Sequence, residues 1–135
     1  MDLQDSMMIS AAGLRAQSIR MRVSAENIAN QDSISSGTGD MPYRRKIVNF
    51  KTMMDRALGV ETIQVDKVTF DRSDFGQRYD PGHPAADASG YITTSNVNGM
   101  IEAMDMRQAQ RTYEANLNAI ETSKNMLLRT IEILK

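Results

Sequence analysis

Asp74, Asp80, His83 and Asp87 make the best case for chemistry in this 135-residue chain, as carboxylate and imidazole ligands or as an acid and base pair. The case fails on positioning. His83 is the only histidine, cysteine is absent, and His83 stands between Gly82 and Pro84, with no regular element to orient it toward a metal. Tested against what an active site needs, the run reads as a turn stiffened by Pro81 and Pro84 and closed by Gly90 and Tyr91, with His83 packing or capping. Gly37-Thr38-Gly39 has the glycines of a phosphate loop without the Lys and Ser or Thr that must follow. Arg44-Arg45-Lys46 is the only basic triplet. On a strand its side chains alternate between faces, so it reads as a solvated or ion-paired strand start, able to meet acids of an adjacent subunit, rather than a nucleic-acid patch. The expectation is a non-enzymatic chain with no catalytic residue, metal or cofactor.

Charge points the same way. Lys and Arg number 16 and Asp and Glu 17, so no net field draws the chain to nucleic acid. Residues 1–30 carry three acids and three bases, and residues 101–135 five of each. Whatever these ends bind, they bind by apolar packing and hydrogen bonds. Cysteine-free composition suits an oxidising compartment. The acidic start, with only Met7-Met8-Ile9 as an early apolar run, has neither part of a secretory signal, and no segment reaches membrane-spanning length. Any export is expected to proceed without a cleaved signal peptide.

The pattern predicts an α+β chain: an N-terminal helix in residues 1–31, a loop and β-rich middle segment in 32–97, and a C-terminal helix in 98–135. The two helices together form one helical domain, pairing as an antiparallel coiled coil. Asp2 caps the first helix; Asn98 caps the second, with Glu102 adding a favourable charge in its first turn. From Gly99 the last helix runs about 35 residues and about 50 Å. Residues 32–42 form a loop. Strands are expected at 43–50, 60–65, 68–70 and 91–94, with a bulge or bend across Asp66 and Lys67 and a single helical turn at 53–58. Residues 80–88 are irregular.

Two seams run along the helices. Met7, Ala11, Leu14, Ser18, Met21, Ala25 and Ile28 are spaced alternately by four and three, and Tyr113, Leu117, Ile120, Lys124, Leu127, Ile131 and Leu134 repeat the pattern. Laid antiparallel, Met7 meets Leu134, Ala11 meets Ile131, Ala25 meets Leu117, and Ser18 falls opposite Lys124. That polar pair either fixes the register or leaves Lys124 to snorkel to water. Second stripes point elsewhere: Ile9, Ala12, Ala16, Ile19 and Val23 on one helix, Ala115, Ala119, Thr122, Met126, Thr130 and Ile133 on the other. A two-helix hairpin buries one side of each helix. The remaining faces are expected to find their partners on other subunits.

Ser24-Ala25-Glu26-Asn27-Ile28-Ala29-Asn30 resembles the Asn-hydrophobic-Ala-Asn signature that ends the N-terminal helix of the bacterial flagellar axial proteins. Tyr113-Glu114-Ala115-Asn116-Leu117, then Thr122, Lys124, Met126-Leu127 and Thr130-Ile131, is similar to their C-terminal helix signature. Tyr43-Arg44 and the run from Asp80 through Pro81, His83, Pro84 and Gly90 to Tyr91 resemble the middle of a proximal-rod member, and the resemblance covers nearly the whole chain. It departs at Glu26, where a small polar residue is common, at Ser95, where Pro usually precedes Asn96-Val97, and at Gln31-Asp32-Ser33, which replaces a Thr-rich stretch. The resemblance implies a structural subunit of the proximal rod of the basal body, a periplasmic drive shaft that transmits motor torque. It also implies export by the flagellar type III apparatus and contact with copies of itself, the rod proteins FlgB, FlgF and FlgG, and the rod adaptor FliE. A soluble helical adaptor that offers an amphipathic hairpin to one partner is the alternative.

The motif residues also have a physical reading. Asn27 and Asn30 lie three apart near a helix end, where short amides bond orphan carbonyls; they serve as a cap or contact a neighbouring subunit. Asn116 lies beside the seam and is either solvated or bonded to a neighbour.

Overall fold

The computed structural model describes residues 2–36, 40–56 and 59–134. Its elements are α1 (Leu3–Ala29), β1 (Lys46–Asp55), β2 (Val60–Phe70), β3 (Gly76–Tyr79), β4 (Tyr91–Thr94) and α2 (Gly99–Ile133). This is the α+β arrangement of two long terminal helices around a small β segment. α1 starts where a reciprocal box stops its first amides from being orphaned: Leu3 N donates to Asp2 Oδ1 at 2.6 Å, and Asp2 N donates to Asp5 Oδ2 at 2.9 Å. α2 starts where Asn98 Oδ1 accepts from Met100 N and Ile101 N, at 3.1 and 3.3 Å.

β1 and β2 form an antiparallel hairpin. Asn49 stands opposite Lys67 and Phe50 opposite Val65, so Asp66 is the extra residue of a bulge, at the bend the alternation predicts. Lys51 Nζ bonds Asp66 at 2.8 Å across it. Two strand limits differ from expectation. β1 begins at Lys46 rather than at 43, because Tyr43 N and Arg45 N donate instead to the Ser33 and Asn96 side chains. It then continues through residues 53–55, where a helical turn was expected, since Met53, Met54 and Asp55 pair with Thr62, Glu61 and Val60. Cross-strand pairing overrides the local preference there. Residues 57 and 58 of that expected turn, and Gly37-Thr38-Gly39, lie outside the described residues. β3 pairs with the expected strand β4. It escapes sequence reading because Gly76-Gln77-Arg78-Tyr79 holds no β-branched residue.

The helices run antiparallel, but on another face and in another register than the apolar seams predict. Ser6 Oγ and Ser123 Oγ are 3.5 Å apart, Gly13 abuts Asn116, and Asn27 bonds Glu102. In the expected register Leu117 faces Ala25; its neighbour Asn116 instead meets Gly13, roughly three turns nearer the start of α1. Ser18 and Lys124 are both exposed, so neither sets this register. The side of α1 turned to α2 buries Ser10, Gly13, Gln17, Ser24 and Asn27, each one residue before a seam position or its neighbour. Small side chains let the backbones approach, and that closeness replaces apolar bulk. The second stripe of α1 is covered by the same chain: Ala12, Ala16 and Ile19 face Thr62 and Ile63, and Val23 faces Ile47 and Phe50. No second subunit is needed for that face.

Candidate functional site

The best-organised polar cluster lies where the end of α1, the base of β1 and the start of α2 converge. Asn27 is 1 % exposed and uses every hydrogen-bonding position it has. Its Nδ2 donates to Lys46 O at 2.9 Å and to Glu102 Oε2 at 3.1 Å. Its Oδ1 accepts from Lys46 N at 3.0 Å and from the Tyr43 hydroxyl at 2.9 Å. Asn27 therefore fastens β1 to both helices and is not a cap. Asn30 is the cap: its side-chain amide donates to Glu26 O at 2.8 Å, and its backbone amide to the carbonyls of Glu26 and Asn27.

Glu102, also 1 % exposed, accepts from Arg45 Nε at 2.6 Å through its other oxygen. Arg45 reaches Asp71 at 3.4 Å and Asp105 at 3.8 Å, and Asp105 bonds Arg20 at 3.1 Å. Asn96 joins the middle segment to this point, accepting from Arg45 N at 2.7 Å and donating to Asp71 O and Ser73 O. Arg44 lies over the Phe75 ring at 4.2 Å, and Lys46 pairs with Glu26. The basic triplet is thus ion-paired at the foot of a strand. Its partners Glu102 and Asp71 were missed as such, because a charge in a first helical turn reads as a dipole partner and nothing local marks it as buried.

Protonation follows the packing. Burial, with the nearby charges of Glu26 and Glu102, pushes the Tyr43 hydroxyl up to about 12. Burial alone would lower Arg45, but its hydrogen bond and charge pairing with Glu102 and then Asp71 outweigh it and raise it. The amide and hydroxyl of Ser73 hold the Asp71 carboxyl below its ordinary range, assisted by Arg45.

The other sequence candidates are dispersed. His83 Nδ1 accepts from Ala85 N at 3.1 Å, and Asp87 Oδ1 accepts from Ser89 N and Tyr91 N at 2.8 and 3.0 Å, so both are spent on turn backbone. Gly90 has φ +82°, and a Cβ there would stand 2.9 Å from the Tyr79 ring, which packs edge-on to Tyr91 at 5.2 Å. Pro81 and Pro84 are exposed on the same turn. Among the described residues no three His, Cys, Asp or Glu side chains stand together as a metal site. Of the motif residues, Ile28 and Tyr113 are half-buried, Asn116 is half-buried against Gly13, and Ala29, Ala115 and Leu117 are exposed. Of the seam residues, Met7, Leu14, Met21, Ile120 and Leu127 are half-buried, and Ile131 and Leu134 are exposed.

The second feature with functional content is at the far end. Because Ser123 already lies beside Ser6, α2 continues past the start of α1. Leu128, Ile131, Ile133 and Leu134 stand there uncovered, the last two at 84 % and 81 % exposure. Among the described residues no helix is long and apolar enough to cross a membrane.

Comparison with known proteins identifies what such a chain resembles. The family described as flagellar basal body rod FlgEFG protein C-terminal matches residues 88–133. Over 127 residues the chain is 46 % identical to the flagellar basal-body rod protein FlgC of Agrobacterium fabrum, covering 94 % of this chain and 91 % of the relative. It is 38 % identical to that of Salmonella typhimurium over 93 % and 92 % of the two chains. The Bacillus subtilis protein is 35 % identical over 96 % and 97 %.

Proposed function

Because the chain belongs to the flagellar basal-body rod protein FlgC family and is a structural subunit of that rod, we propose that its terminal helices carry the contacts that build the shaft. The observation behind this is the bare end of α2. Four aliphatic residues within seven positions stand outside any intrachain contact surface, an arrangement that a chain finished as a monomer avoids. The motif residues Ala29, Ala115 and Leu117 face outward and join the same assembly surface. The half-buried seam of Met7, Leu14 and Met21 flanks it. In this reading the subunit sits in the periplasmic shaft that transmits motor torque, beside copies of itself and the rod proteins FlgB, FlgF and FlgG, with FliE as adaptor. It arrives through the flagellar type III apparatus without a cleaved signal peptide.

Replacing Leu128 and Ile131 together by Glu tests the proposal. Both are about half exposed, so the isolated chain should keep its stability to within about 0.5 kcal/mol. Basal bodies from cells carrying only this variant should lack the chain, and the cells should not swim. Basal bodies that hold the variant in normal amount would refute an assembly role for this end.

A further inference from the structure

The uncovered end of α2 has a complement on the same molecule. α1 and the hairpin diverge around a cleft of about 270 Å³ lined by Ala12, Arg15, Ile19, Thr62, Ile63 and Val65. That is nearly twice the roughly 150 Å³ that holds a benzene ring, and so has room for two aliphatic side chains. Met8 and Ile63, both more than a third exposed, leave its mouth open.

Resting on the rod-subunit reading, we propose that the cleft receives the end of α2 from a second copy of this chain, with Leu128 and Ile131 as the inserted pair. Three observations favour that occupant. The overhang is apolar and uncovered, as is the cleft, and each lacks a match within its own subunit. The charges agree: Arg15 and Asp55 line the cleft, while Glu132 and Arg129 flank the inserted pair, so that Glu132 meets Arg15 and Arg129 meets Asp55. The two patches also lie on different parts of the molecule. A contact between unlike patches repeats without closing on itself, and so builds an open stack, which a shaft requires.

The absence of native cysteine gives a clean test. Cells expressing the chain with Ile63→Cys and Ile131→Cys supply basal bodies, which are oxidised and separated without reductant. A ladder of cross-linked chains is expected, absent from either single-cysteine variant. In parallel, Arg15→Glu should lower incorporation into basal bodies by about fivefold, the effect of turning one rim attraction into a repulsion. Adding Glu132→Arg should restore it. No ladder from basal bodies that contain the chain, or unchanged incorporation of Arg15→Glu, overturns this contact and leaves the rod reading standing. Failure of the parent cysteine-free chain to enter basal bodies would overturn the reading beneath it.

Discussion

Asn27 donates to the carboxylate of Glu102 at 3.1 Å, joining the last turn of α1 to the first turn of α2 across 75 positions of sequence. Both groups are buried, and the remaining bonds of each go to the base of β1. Three parts of the chain that are far apart in sequence are thereby held to one point.

Asn27→Ala should therefore cost far more than a helix cap does. It strands the Tyr43 hydroxyl, one Glu102 oxygen and the backbone amide and carbonyl of Lys46 at once, each an unmet group in a buried place. A loss of about 3 kcal/mol is expected, against about 1 kcal/mol for Asn30→Ala, which removes one bond to Glu26 O. Urea midpoints at unchanged slope read both. Equal losses would show that Asn27 acts as a cap.

The Tyr43 hydroxyl gives the junction an alkaline limit. Its folded value is about 12, against 10.0 ordinarily, so the folded chain holds this proton more tightly than the unfolded one. The resulting stability is fully present below pH 10.0 and is lost as the pH rises through about 12. Tyr43→Phe should lower stability at neutral pH, flatten its fall across this window, and remove the tyrosinate absorbance that appears near its upper end. A variant with an unchanged alkaline slope would place the effect elsewhere.

The helix register can be read with two cysteines. Ser6→Cys with Ser123→Cys should close a disulfide within one subunit, since the two hydroxyl oxygens are 3.5 Å apart. Ser18→Cys with Lys124→Cys should not. Mass spectrometry of the oxidised monomer distinguishes them, and the reverse result would restore the register drawn from the apolar seams.

That contrast shows how far the sequence reaches. Both helices, their caps at Asp2 and Asn98, the bulge at Asp66 and the strand at Tyr91 were legible because each follows from local geometry. The face on which the helices meet was not. Met7, Leu14 and Met21 advertise a seam by apolar bulk, whereas the buried face is chosen by Ser10, Gly13 and Ser24, whose smallness matters only once a second backbone lies against them. Asn27 was visible as a motif residue, but its partner Glu102 was not, because burial of an acid is set by what folds over it.

Gly13 and Asn116 should be coupled. A Cβ at position 13 would stand 2.7 Å from Asn116 Nδ2, so Gly13→Ala gains helix propensity of about 1 kcal/mol and loses a comparable amount to the clash. In an Asn116→Ala background the clash is gone and the same change should stabilise. A double-mutant cycle should return a coupling of about 1 kcal/mol; additivity would mean the helices relax apart at no cost.

Arg45 and Glu102 offer the sharpest separation of stability from specificity. Arg45→Ala leaves the Glu102 carboxylate, 1 % exposed, without its cation and should cost about 3–5 kcal/mol. Replacing both, as Arg45→Met with Glu102→Leu, removes the desolvated pair together and should recover most of that loss. The ionic pair also supplies direction: it ties the foot of the hairpin to α2, whereas the hairpin otherwise packs on α1. Hydrogen exchange should therefore show the double variant folded, with helix amides protected and hairpin amides opening faster than in the parent chain. If hairpin protection survives the double replacement intact, the pair contributes only stability, and the packing of α1 on β2 alone sets where the hairpin points.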